Sequence, residues 1–269
     1  MRDSRRFACT RGLGKAMAVA ALAAVSLAVS AGAASATTYT ALGDSYSSGV
    51  GTRTFYNDGT ECKRSPLAYP PLVASARSLT LTFAACSGAK TSDVLNNQLG
   101  SLNSTTGYVT ISVGGNDAGF AKVIEKCAYP WPWTCWGDIT NAENFMREKL
   151  PGLLDNVYNQ IRSRATKAKV VVVGYPRLFN GVECNTLARI SPGEQERLNQ
   201  AADVMASVIS ARAKAHSYGY VDPRGAFSSH EICSGSEWLN GLSNPVSESY
   251  HPNVEGQKEY TREVETQIP

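Results

Sequence analysis

Val170-Val171-Val172-Val173 is the most sharply patterned run in the chain. Four consecutive β-branched residues leave no polar face, as in a parallel strand covered on both sides. Thr38 to Leu42, Leu79 to Ala84, Tyr108 to Val113 and Tyr218 to Val221 are further β-prone runs. Between them apolar positions recur at helical spacing. Tyr69 to Arg77 and Asp93 to Leu99 are short helices, the second capped by Ser92 or Asp93. Glu143 to Ala165 carries a stripe of Leu150, Leu153, Leu154, Val157 and Ile161, interrupted or restarted at Pro151. Ser191-Pro192-Gly193-Glu194 has a capping serine, a proline at the first helical position and a glutamate two residues later. The helix it opens runs through Leu198, Ala202, Met205, Val208 and Ile209 towards His216, and a last helix follows Pro252. Cys127 to Trp136, rich in proline and tryptophan, is expected to be a loop. Strand and helix alternate throughout, which predicts an α/β fold with a five-stranded parallel sheet between helices.

The first 36 residues break this pattern. Arg2, Arg5, Arg6, Arg11 and Lys15 precede an apolar run, Ala16 to Val29, that is short for a membrane span. Ala34-Ser35-Ala36 then matches a small-residue cleavage site. Residues 1–36 are therefore expected to be a secretory signal peptide, and 37–269 a single domain. The expected product is soluble, monomeric and extracellular.

This division changes the charge. The whole chain has 26 Lys and Arg against 23 Asp and Glu, a net of +3. Without the leader, 21 positive residues face 22 negative ones. The apparent basicity belongs to the leader, and no footprint for nucleic acid remains. Cys9 leaves too, so six of the seven cysteines stay. An even number in an exported chain implies disulfides. Of the fifteen possible pairings, the sequential one is expected: Cys62–Cys86, Cys127–Cys135 and Cys184–Cys233. Each would contribute roughly 2–4 kcal/mol on the chain-entropy account. A metal site is not expected, since neither C-x-x-C spacing nor neighbouring histidines accompany these cysteines.

In a parallel sheet, active sites lie beyond the carboxyl ends of the strands. There the sequence places Gly43-Asp44-Ser45, Gly88, Gly115-Asn116 and Asp222. Gly43 permits a sharp bend, and the small residues around Ser45 leave its hydroxyl accessible. A nucleophilic serine needs a base and pre-aimed donors for the oxyanion. The chain has three histidines. His216 ends a helix, where a cation suits the dipole, and reads as structural. His230, beside Cys233, reads as a surface residue. His251, held extended before Pro252, is the candidate base.

Gly43-Asp44-Ser45, Gly88, Asn116 between Gly115 and Asp117, and His251-Pro252 resemble, in order and spacing, the four blocks of the SGNH hydrolases, also called GDSL lipases and esterases. The wording Gly43-Asp44-Ser45-Tyr46-Ser47-Ser48-Gly49, Cys86-Ser87-Gly88-Ala89 and Gly114 to Phe120, with the six cysteines, is similar to secreted actinomycete GDSL lipases, esterases and phospholipases A1. The resemblance implies a flavodoxin-like three-layer α/β/α sandwich and ester hydrolysis without a cofactor. It implies Ser45 as nucleophile, His251 as general base, and an oxyanion hole from the N–H groups of Ser45 and Gly88 with the Asn116 amide. Asp44 is expected to brace the turn, and Asp117 to tie its own loop. Two departures stand out. Many members have aspartate three residues before the histidine, where this chain has Glu248. Either that carboxylate or a main-chain carbonyl of Glu248 or Ser249 orients the imidazole. Tyr46 replaces the leucine of the family name and is expected only to pack.

Trp131, Trp133 and Trp136 follow the Asn116 block closely, and Trp131 and Trp133 are candidates for a rim that meets a lipid–water boundary. The expected function is a secreted serine ester hydrolase acting on lipids, as lipase, esterase or phospholipase A1. The alternative is a carbohydrate acetyl esterase of the same fold, and a third reading is a disulfide-stapled binding protein with idle site residues.

Overall fold

The computed structural model describes residues 37–129 and 132–269. The proposed leader, 1–36, and Trp131 lie outside the described residues.

Strand β1, Thr38–Gly43, ends in the one-turn helix α1, Ser45–Ser48, and is followed by α2, Tyr69–Ala76. Then come β2, Thr80–Phe83, the single turn α3, Thr91–Asp93, and β3, Tyr108–Ser112. Helices α4, Phe120–Cys127, α5, Trp136–Glu148, and α6, Leu150–Arg164, lead to β4, Lys169–Val173. The long α7, Pro192–Ala215, β5, Gly219–Val221, and α8, Val254–Glu265, complete the chain. The five strands form one parallel sheet in the order β2-β1-β3-β4-β5. Helix α2 packs on α8, and α5, α6 and α7 pack on one another. This is the flavodoxin-like α/β/α sandwich, and its order reverses direction between β1 and β3, where such folds bind ligands.

The central strands are buried on both faces: Val170 to Val173, Val109, Ile111, Ala41 and Leu42 are all in the core. Ser191 caps α7 as its sequence predicts, and Glu194 returns a bond to the Ser191 N–H at 3.1 Å. Pro151 sits in the first turn of α6 and so starts a second helix rather than bending one.

Three elements differ from the sequence-based expectations. Helix α4 was not expected, although Phe120, Val123, Ile124 and Cys127 recur at helical spacing. Helix α5 starts at Trp136 rather than Glu143, at the last residue of the expected loop. The helix expected over 93–99 is one α-turn from Thr91 and then a wider π-turn, Val94–Gln98. Its N-cap is Lys90, and Asp93 accepts the Lys90 N–H at 2.9 Å. The widened turn carries the Gln98 amide onto Gly43, where it accepts the N–H at 2.7 Å and donates to the carbonyl at 2.8 Å. Propensity yields here to two buried hydrogen bonds.

Disulfides join Cys62 to Cys86, Cys127 to Cys135 and Cys184 to Cys233. The second closes α4 onto the start of α5.

Gly43 is where the sheet meets the site. It has φ +125°, and a Cβ there would stand 2.5 Å from the Ser112 carbonyl oxygen. Gly43→Ala is therefore expected to destabilise the protein by about 1–3 kcal/mol or more, read as a lower midpoint in urea unfolding. An unchanged midpoint would show that the β1–β3 seam can open.

Candidate active site

Asp44 follows Gly43 and donates its N–H to the Ser112 carbonyl at 2.9 Å, extending the β1–β3 ladder by one step. Its side chain caps α1, accepting the Tyr46 N–H on Oδ1 at 3.0 Å. Ser45 thereby becomes the first residue of a helix, with its N–H at the positive end. Gly49, at φ +86°, ends the helix after one turn.

His251 arrives from the loop before α8. Tyr250, at φ +60°, turns the chain, and its N–H and the His251 carbonyl both bond Asn240 at 2.9 Å. The imidazole Nε2 lies 2.7 Å from Ser45 Oγ, and Nδ1 lies 2.7 Å from the Ser249 carbonyl oxygen. A carbonyl only accepts, so Nδ1 carries the proton and Nε2 offers its lone pair to the serine O–H. Desolvation lowers the His251 pKa to about 4, with the nearby Lys63 charge acting in the same direction and the carbonyl of Ser249 opposing it. The Glu248 carboxylate turns elsewhere and pairs with Arg53 at 3.2 Å.

Gly88 and Asn116 bound the same cavity as Ser45 and His251. Gly88 has φ +78°. Among the described residues no backbone acceptor faces its N–H or that of Ser45. Asn116 donates one amide N–H to the Ala89 carbonyl at 3.0 Å, which leaves its second for the cavity. Asp117 does not tie its own loop as expected. Its carboxylate accepts from the Thr91 N–H at 3.0 Å and hydroxyl at 2.6 Å, pinning the Gly88 and Asn116 loops together.

Asp44 braces the turn from a fully desolvated position, and burial raises its pKa to about 7 against the opposing hydrogen bond from Tyr175. Tyr46 does more than pack. Its ring lies 5.3 Å from the imidazole, and its hydroxyl donates to the Tyr250 carbonyl at 2.8 Å. Gln98 and Tyr175 reach the site without having been singled out in the sequence. Tyr175 stands just past the end of β4, with no local mark to distinguish it from other strand-end residues.

Other candidates lie apart. Asp222 binds Arg224 at 2.6 Å. His216 faces Asp155 at 2.9 Å, at the far end of α7. His230, expected on the surface, is stacked on Trp238 at 3.6 Å with Nδ1 on the Ser236 carbonyl. Among the described residues no group of His, Cys, Asp and Glu is arranged to hold a metal ion.

The cavity is about 430 Å³. From Ser45 it runs between Phe120 and Ile124 of α4, Met205 of α7, and Leu178, Leu242 and Val246 of the connecting loops. Trp133, grouped with Lys126 and Tyr129 at the end of α4, is 69% exposed, and Trp136 is 44% exposed.

The flavodoxin-like sheet, the serine–histidine contact at its switch point and the apolar cavity define a carboxylic ester hydrolase. The GDSL-like Lipase/Acylhydrolase family matches residues 41–259, and the chain belongs to that family. It is similar to Lipase 1 of Streptomyces coelicolor, at 46% identity over 241 residues covering 88% of this chain and 89% of that one. Its structure is similar to that of phospholipase A1 from Streptomyces albidoflavus NA297, with a TM-score of 0.82, 46% identity and coverage of 86% of this chain and 99% of that one. The extracellular lipase of Streptomyces rimosus is also similar, with a TM-score of 0.82, 42% identity and coverage of 86% and 100%. An acetylxylan esterase from Geobacillus stearothermophilus shares the fold alone, at 14% identity and a TM-score of 0.53.

The shift of His251 has a direct readout. Its imidazole resonances in NMR should stay those of the neutral ring as pH falls from 7 to 5, and move to the charged form near 4. A midpoint at 6.5, the ordinary value, would show that the ring is not desolvated. A second titration near 7 should belong to Asp44.

Proposed function

We propose that the protein is a secreted hydrolase of lipid carboxylic esters, working through an acyl-enzyme on Ser45. The observation that carries this reading is the single line of contacts from the Ser249 carbonyl through His251 to Ser45 Oγ, each 2.7 Å long. His251 Nε2 takes the proton as Oγ attacks the ester carbonyl carbon. The oxyanion accepts from the N–H groups of Ser45 and Gly88 and from the free N–H of the Asn116 amide. Collapse breaks the bond to the alcohol, which leaves with the proton from His251. Water then repeats the sequence on the acyl-enzyme, with His251 as base, and releases the acid.

The orienting group in this reading is the Ser249 carbonyl rather than the Glu248 carboxylate. A carbonyl fixes the tautomer as an aspartate does, but adds no full charge to stabilise the imidazolium. The machinery is a dyad. Glu248 holds its loop through Arg53.

A lipid acyl chain is favoured over acetyl because the cavity continues apolar past Phe120 and Ile124, far beyond what two carbons fill. The similar proteins named as lipases and as a phospholipase A1 support the same choice. Export is supported by the composition of residues 1–36, by three disulfides, and by the extracellular lipase it resembles. The exposed Trp133, near the end of α4, would rest at the lipid–water boundary.

Four measurements test this. A serine-reactive phosphonate should label the enzyme and fail to label Ser45→Ala. Glu248→Gln should keep its kcat within about tenfold, whereas a loss near 10⁴-fold, the cost of a triad acid, would move the orienting role to Glu248. On an acyl-chain and head-group panel with product analysis, long-chain esters should exceed acetyl esters in kcat/KM, and the reverse order would favour the acetyl esterase. Trp133→Ala should lower activity on vesicles and leave a soluble ester unaffected, and equal activity on both would remove the lipid-contact role.

A further inference from the structure

Tyr175 follows Gly174 at the carboxyl end of β4, and its backbone is anchored there on two sides. The Gly174 N–H donates to the Val221 carbonyl of β5 at 2.9 Å, and the Gly174 carbonyl accepts from the Tyr260 hydroxyl of α8 at 2.9 Å. From this fixed base the phenol crosses to the two loops that build the site. Its hydroxyl donates to Asp44 Oδ2 at 2.6 Å and accepts the Gly115 N–H at 3.3 Å. Its ring packs edge-on against Tyr46 at 5.0 Å. Asp44 is the cap that presents Ser45, and Gly115 immediately precedes Asn116. One hydroxyl thus bonds both the nucleophile turn and the oxyanion turn. Gly115 has close contact with the phenol, since a Cβ there would lie 3.4 Å from its ring.

We infer that Tyr175 is a positioning residue, whose hydroxyl sets the Asn116 amide against Ser45 by tying the Asp44 carboxylate to the Gly115 N–H. The idea rests on the roles given above to Ser45 and Asn116. A donor aimed before the reaction helps only if it stands where the charge will develop. Losing the hydroxyl leaves Asn116 present but loosely aimed. The cost should fall on the transition state and not on substrate binding.

The test is Tyr175→Phe, which keeps the ring on Tyr46, assayed on a soluble p-nitrophenyl ester. We expect kcat to fall by about ten- to a hundredfold with KM within about twofold, less than the roughly 100- to 1000-fold cost of deleting an oxyanion donor outright. In an Asn116→Ala background the same substitution should cost less than about twofold, because its effect is already spent. A folded Tyr175→Phe with kcat within twofold of the parent overturns the inference, and so does an equal loss in both backgrounds. If near-ultraviolet circular dichroism shows that Tyr175→Phe does not fold, Asp44→Asn takes its place. The same coupling to Asn116→Ala is then expected, and additive losses overturn the idea. Substantial activity remaining in Ser45→Ala would sink the underlying reading instead, whatever Tyr175→Phe does.

Discussion

The β1–β3 seam leaves no room for a side chain at its end, and the site depends on that constraint. Gly43 presses on the Ser112 backbone, its own N–H and carbonyl are held by Gln98, and Asp44 adds one further bond to the ladder. Strand order reverses at this seam. The chain leaving β1 and the chain leaving β3 therefore part to opposite sides and open a crevice. Ser45 stands on one lip and Asn116 near the other. The strands are rigid and buried, so the distance between the lips is set by the sheet and trimmed by side chains above it.

Much of this was legible in the sequence, for a physical reason. A buried parallel strand must be apolar along its length, and its end must be marked by residues that turn. Val170 to Val173 and the glycines at 43, 88 and 115 carry those marks within a few residues. His251 was legible because a proline follows it and because only two other histidines exist to compare. Contacts between remote residues were not legible. Tyr175 meets Asp44 across 131 positions, and Gln98 meets Gly43 across 55. Neither residue has a local signature, since a tyrosine at a strand end and a glutamine in a helical stretch fit many structures. Asp117 fell between the cases: its block was recognised, but its partner Thr91 lies on another loop. Helix α4 shows a different limit. Its apolar spacing was present, but eight residues beside a glycine-rich turn give a short and weak period.

The histidine is held by its own loop. Ser249 and His251 are two residues apart, so the bond from Nδ1 to a carbonyl closes a small ring that the left-handed Tyr250 makes possible. Tyr46 then binds the Tyr250 carbonyl and lays its ring near the imidazole. The residue after Ser45 thereby helps to hold His251. With no carboxylate on the imidazole, desolvation dominates its proton affinity and keeps it neutral and ready to accept.

Ser45 and His251 are separated by 206 positions. Synthesis runs from the first to the second, so every unfinished chain shorter than His251 has the serine without a partner. Such a chain contains the β1 turn, the Gly88 loop and the Asn116 loop, and still lacks the imidazole that meets Oγ in the fold. That contact forms only when the last loop before α8 closes over the first turn of the sheet. The Ser45–His251 contact is therefore a property of the finished fold and of no part of it.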